Sequence, residues 1–142
     1  MSETLAIQTM EALARRDLAF VLQLASADAT ASGGVLPGTI PLRDAMQVMG
    51  ALWAALPDFR VEIIKVNTVG DEVAVDFMWG GTHNSALNLP GAASIPATGK
   101  AVWVADRFAL RFGEGTLEAV RVESPAAGGI PGMLAQIGAV TA

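Results

Sequence analysis

Around residue 57 the chain changes its hydrophobic period, and that change limits the folds open to it. Before it, apolar residues recur every three or four positions, as in Ala45, Met46, Met49, Leu52, Trp53 and Leu56, which is the spacing of one helix face. From "DFRVEIIKVNTVGDEVAVDFMWGG" onward they alternate with period two and β-branched residues dominate, which is the pattern of half-buried strands. A chain that begins with amphipathic helices and continues with alternating strands is predicted to fold as α+β. The N-terminal helices would pack on an antiparallel sheet.

Three helices are expected. The first starts at Ser2, a good N-cap, and carries Leu5, Met10 and Leu13 until "RRD" interrupts it. Asp17 caps a second with Leu18, Val21, Leu22 and Ala25 on one side, and "SADATASGG" then breaks the pattern. The third follows Pro41, suited to a first helical turn, and stops at Pro57. Gly70 and Asp71 supply the turn of a first hairpin. A third strand, "KAVWVADRFALRF", turns at "GEG" into a fourth, "TLEAVRVES". In the tail, "GMLAQI" could make a short helical turn that covers an opening.

The length of 142 residues fits one domain, residues 1–142, with a real core. With 52% hydrophobic and 16% charged residues, the polar surface is small for a monomer, and a homodimer is expected. Trp103, Arg107 and Arg111 share one strand face and are candidates for its interface. The net charge of -5 and the lack of a Lys/Arg cluster argue against nucleic acid as a partner. No apolar run is long enough to cross a bilayer and the N-terminus lacks the order of a signal peptide, so the expected location is cytoplasmic, with no membrane partner.

The candidate chemistry lies on the strands. Val102, Val104, Asp106, Phe108, Leu110 and Phe112 share a face, so Asp106 sits on an apolar side. A carboxylate there is either a poised acid/base group or a core residue satisfied by a hydroxyl or backbone amide. Val73, Val75, Phe77, Trp79, Gly81 and His83 share a face of the preceding strand. His83, the sole histidine, is either a proton shuttle or a residue satisfied by a neighbour at a strand end. Trp53, Phe77, Trp79 and Phe108 either line a pocket or form plain core.

Other chemistries are disfavoured. "SIPATGKA" has Ser94 where a phosphate-binding loop needs its first glycine and Ala101 where it needs a hydroxyl. There is no G-x-S-x-G elbow, and one histidine with no cysteine is too little for a usual zinc or two-histidine iron site. No metal is expected.

The stretches "EALARRDLAFVLQLAS", "ALPDFRVEIIKVNTVGDEVAVDFMWGGTH", "PATGKAVWVADRFALRFGEGTLE" and "GMLAQIG" occur in an order and spacing that resembles the SnoaL-like polyketide cyclase family of the nuclear transport factor 2-like superfamily. The resemblance covers nearly the whole chain. It implies a cone-shaped α+β barrel with a deep apolar pocket, and an acidic acid/base residue on the strand after "ATGK". That acidic position falls on Phe108 here, and Asp106 lies two residues earlier on the same face. The segment between "GTH" and "PATGK" is lengthened by "NLPGAASI", which would shape the pocket entrance or the dimer contact.

The implied function is cofactor-independent acid/base chemistry on a small hydrophobic carbonyl compound, as in a cyclase or isomerase. Asp106 would move the proton, His83 would assist an oxygen, and Trp53, Phe77, Trp79 and Phe108 would pack the substrate. The alternative is a noncatalytic small-molecule-binding or structural homodimeric domain of the same fold. The two differ in whether Asp106 opens into a cavity beside another polar group or is enclosed with its oxygens spent on backbone donors.

Overall fold

A computed structural model describes residues 2–138. Four helices and six strands follow in the order α1 (Ser2–Ala14), α2 (Leu18–Leu24), β1 (Ala25–Gly33), β2 (Ile40–Pro41), α3 (Leu42–Ala55), β3 (Arg60–Val69), β4 (Glu72–Thr82), β5 (Ala101–Gly113), β6 (Thr116–Val122) and α4 (Gly129–Gln136). The strands form one sheet in the order β2-β1-β6-β5-β4-β3. Every neighbouring pair is antiparallel except β1 and β6, which run parallel. The fold is the expected α+β arrangement, with an open mixed sheet.

The helices begin and end where local chemistry requires. Asp17 accepts a hydrogen bond from the Phe20 N–H at 3.0 Å and so caps α2. Pro41 is the N-cap of α3, and α3 stops at Ala55, just before Leu56 and Pro57. Gly70, at φ 63°, makes the turn between β3 and β4, a conformation that costs glycine little.

Alternation places the core as the pattern predicts. On β4 the inward residues Val73, Val75, Phe77 and Trp79 are buried, and on β5 so are Val102, Val104, Asp106, Leu110 and Phe112. Met10 and Leu13 of α1 and Met46 and Leu52 of α3 cover this face. Each large apolar side chain so buried contributes roughly 1.5–3 kcal/mol.

Two features depart from the expectation. "SADATASG" is not a break after α2 but strand β1, and a two-residue strand, β2, follows it, so the sheet has six strands rather than four. β1 is poor in the bulky β-branched residues that mark strands, and it is held by tertiary pairing with β6 rather than by propensity. The tail forms a regular helix, α4. Pairing between β5 and β6 covers only Phe108 to Gly113 of β5. The Ala101–Arg107 half of β5 therefore has β4 on one side and, on the other, the tail.

Candidate functional site

The sheet's concave face, α1, α3 and the start of α4 enclose a cavity of about 110 Å³. That is room for on the order of ten water-sized positions, which suits a ligand of about one or two fused rings. Its wall is apolar almost throughout, with Met10, Met46, Leu52, Phe77, Phe108 and Leu110 among its members. Phe77 and Phe108 meet edge to face, 4.8 Å between ring centroids. The polar side chains on the wall are Thr9, Asp106, Ser124 and the indole of Trp79. Among the described residues, no Lys, Arg or His lines it. Gly34, Val35 and Pro131 on the lining are exposed, so the cavity meets solvent between the turn after β1 and the start of α4.

Asp106 is the only charged group on that wall among the described residues and is 7% exposed. β4 and β5 bring Phe77 opposite Asp106 and Trp79 opposite Val104, so Trp79 reaches Asp106 diagonally across the ladder. Its Nε1–H donates to Asp106 Oδ2 at 2.9 Å. Ser124, just past the end of β6, donates its hydroxyl to Oδ1 at 2.7 Å, and the Arg107 N–H donates to the same oxygen at 2.9 Å. Oδ1 thus has two donors and Oδ2 one. Since an ionised carboxylate offers about four lone-pair positions, the unfilled one lies on Oδ2. Gly129 closes over this group: a Cβ there would stand 2.3 Å from Ser124 Oγ and 3.6 Å from Oδ2.

The structure brings Asp106, Phe77, Trp79 and Phe108 together on the cavity wall and places His83 and Trp53 off it. His83 is fully buried at the end of β4. Its Nδ1 lies 2.9 Å from Thr98 Oγ1 and accepts from the Thr98 N–H at 3.3 Å, while the Lys100 N–H donates to that hydroxyl at 3.3 Å. This pattern puts the ring hydrogen on Nε2, which has no protein partner, as is also true of Trp53 Nε1. His83 instead anchors the segment 84–100, whose Thr98 and Gly99 N–H groups donate to its carbonyl. No residue of that segment lines the cavity. It folds back on itself through paired hydrogen bonds between Leu87 and Ile95, and Leu87 is fully buried.

The outer face of the sheet carries ion pairs. Arg107 hydrogen-bonds Asp76, which holds the Asp76 carboxyl below the usual aspartate range. Arg121 binds Glu72 through both terminal nitrogens, at 2.8 and 3.1 Å, and holds its carboxyl low in the same way. Arg111 pairs with Glu118 at 3.5 Å. The Arg60 guanidinium lies 4.8 Å from the Trp103 ring centroid. Among the described residues, no three His, Asp or Glu side chains gather as metal ligands, and no helix is long and apolar enough to cross a membrane.

The sequence profile of the SnoaL-like domain matches residues 6–119. The chain belongs to the SnoaL-like domain family. No curated protein matches it in sequence. The fold of this SnoaL-like domain is shared with AclR of Streptomyces galilaeus, a proposed hydroxylase, at TM-score 0.78 and 20% identity over 97% of this chain and 96% of that one. It is shared with IdmH of Streptomyces antibioticus, a proposed polyketide cyclase, at TM-score 0.73 and 22% identity over 97% and 99%. A proposed SnoaL-like polyketide cyclase from Jannaschia sp. CCS1 superimposes at TM-score 0.72 and 16% identity over 96% and 94%. All four chains share the nuclear transport factor 2-like architecture.

Two residues of the SnoaL-like site went unnoticed in the sequence. Ser124 follows the last strand in a polar stretch that carries no periodic signal. Thr9, 2% exposed, occupies a position on α1 between apolar neighbours and satisfies its hydroxyl on the Leu5 carbonyl at 2.8 Å. A hydroxyl on the buried stripe of an amphipathic helix was the available signal for it.

Proposed function

We propose that this SnoaL-like domain catalyses cofactor-independent proton transfer on a small hydrophobic carbonyl compound, in the manner of a cyclase or isomerase, with Asp106 as the acid/base group. One observation carries the reading. The single carboxylate on the wall of an apolar cavity is held there by two side-chain donors, Trp79 and Ser124, and keeps a lone-pair position on Oδ2.

In the reaction, Oδ2 takes a proton from the carbon next to a carbonyl. The C–H electron pair forms the carbon–carbon double bond of an enolate as the carbonyl π pair moves to its oxygen. The enolate carbon then adds to a second carbonyl of the same molecule, whose oxygen takes the proton back from Oδ2, or the proton returns to a different carbon, so nothing is consumed. Trp79 and Ser124 fix the carboxylate, and Phe77 and Phe108 pack the substrate's flat apolar body. The domain acts as a cytoplasmic homodimer in this reading, joined through the outer sheet face, where Ile64 and Val69 remain exposed.

α-Deuterium incorporation into an apolar β-diketone such as 2-acetyl-1-tetralone, followed by NMR in heavy water, tests this. The wild type accelerates exchange and Asp106→Asn loses roughly a hundred- to ten-thousandfold of that acceleration. Equal rates in the two proteins, with the variant folded by circular dichroism, would overturn the assignment.

A noncatalytic binding domain is favoured by a different observation: three donors already satisfy Asp106, as they would a structural carboxylate. In that case ligands bind and no exchange is seen with either protein.

A further inference from the structure

Rungs of paired residues cross the sheet, and one of them is only half made. Phe108 and Val122 are the last partners in the β5–β6 register, which leaves Arg107 and Glu123 facing each other just as β6 ends. The Glu123 N–H donates to the Arg107 carbonyl at 2.9 Å. The Arg107 N–H does not complete the pair and donates to Asp106 Oδ1 instead, also at 2.9 Å. Ser124, the residue after Glu123, brings its hydroxyl to the same oxygen at 2.7 Å. Both donors to Oδ1 are therefore attached to this half-made rung, one from each side of it.

On the outer face of the sheet the same rung carries charge. The Arg107 carbonyl points toward β6, so the pairing of Arg107 with Asp76 on β4 is of the close, non-hydrogen-bonded kind that brings side chains together. The Arg107 guanidinium binds both Asp76 oxygens, through Nε and one terminal nitrogen. The Glu123 carboxylate attracts the same guanidinium and accepts from Arg121 Nε at 3.1 Å. A row of Asp76, Arg107 and Glu123 thus spans β4, β5 and the end of β6, directly behind Asp106. We infer that Arg107 is a positioning residue for Asp106, and that its outer-face pairing with Asp76 sets where the carboxylate stands in the cavity. This rests on the reading of Asp106 as the acid/base group. The ion pair adds little stability, because its side chains are 49% and 32% exposed and water screens such pairs. Its effect is geometric: Asp76 holds the Arg107 side chain, and with it the peptide whose N–H aims at Oδ1. A carboxylate turned slightly out of place loses rate rather than affinity, since the apolar wall that packs the substrate is untouched.

α-Proton exchange of 2-acetyl-1-tetralone by the full chain, resolved into kcat and KM, is measured beside the Arg107 amide resonance. In Asp76→Ala, kcat should fall roughly tenfold, part of the hundredfold that a displacement of about 1 Å can cost, with KM unchanged. The Arg107 amide proton should move upfield and exchange faster with solvent. Asp76→Glu, which keeps the charge, should retain most of kcat. Glu118→Ala is the control: it breaks the pair with Arg111, on the same strand and similarly exposed at 46% and 42%, and should leave kcat and the Arg107 amide as they are. An unchanged kcat in Asp76→Ala, or an equal loss in Glu118→Ala, would overturn the inference. So would a rise in KM alone, which would mark a change in the cavity wall. If the wild type accelerates no exchange, the proposed reaction fails and the amide alone decides. A shift confined to Asp76→Ala then supports the positioning of Asp106, and an unmoved amide overturns it.

Discussion

The side-chain amide of Gln136 binds both backbone groups of Trp103: its Oε1 accepts from the Trp103 N–H and its Nε2 donates to the Trp103 carbonyl, each at 2.9 Å. A glutamine on α4 thus stands in for the strand that β5 lacks along its N-terminal half. Gln136→Ala should cost about 1 kcal/mol, since two solvent-accessible neutral hydrogen bonds are lost. It should also speed amide exchange at Trp103. Urea unfolding and hydrogen exchange read the two effects, and Gln136→Glu, which keeps the acceptor but loses the donor at neutral pH, should fall between.

Ser124 and Gly129 hold Asp106 from the tail. Ser124→Ala leaves Oδ1 with the Arg107 N–H alone and should destabilise the fold by about 1–2 kcal/mol, because a bond to a charged acceptor is lost at a half-buried site. Gly129 sits at φ 58°, so Gly129→Ala should cost about 1–2 kcal/mol in backbone strain. It would also drive its methyl into Ser124 Oγ, 2.3 Å away. Both variants should lower α-proton exchange without abolishing it, whereas Asp106→Asn abolishes most of it. Kinetics of the three variants, measured together with their unfolding curves, check this ranking.

Acid sensitivity should localise in part to Asp58. Its carboxylate accepts the Thr82 N–H at 2.6 Å and the Thr82 hydroxyl at 2.9 Å, and these bonds hold it below the usual aspartate value of 3.8. The unfolded chain therefore binds the proton more readily than the folded one. The resulting stability is complete above the unfolded value and is lost as pH falls through the lower folded value. Asp58→Asn should reduce the melting temperature at neutral pH, and the gap to the wild type should close in acid. A gap that stays constant across the acid range would assign the loss to something other than this carboxylate.

The lengthened segment after β4 should prove separable from ligand binding. Leu87 is fully buried, so Leu87→Ala should cost about 2–4 kcal/mol. Replacing residues 88–94 by a two-residue turn keeps the paired Leu87–Ile95 hydrogen bonds, and should leave α-proton exchange of 2-acetyl-1-tetralone unchanged. A fall in the exchange rate of the shortened protein would show that the segment reaches the cavity after all.

The sequence made the inward faces of β4 and β5 readable because alternation decides which side chains are buried, and Asp106 stood out by breaking that rule. The same alternation put His83 on a buried side, as observed, but period two says nothing about how far along a face a cavity extends. Trp53 fails in a related way: its helix spacing predicts burial, not which neighbour it meets. Ser124 was invisible because its role depends on where β6 ends relative to β5. β1 was missed for a reason of composition, since "SADATASG" pairs with a strand some ninety positions away and takes its conformation from that partner.

That parallel pairing of β1 with β6 also sets the order in which the molecule can be assembled. The β3–β4 and β5–β6 hairpins close through short local turns, but Thr30 must wait for Ala119 to exist before its ladder can form. The entropy of closing so long a loop falls on this step. During synthesis on a ribosome, the cavity's floor would stand complete while one wall hung open, exposing Val21, Leu42 and Met46 until the last strand emerged and joined β1.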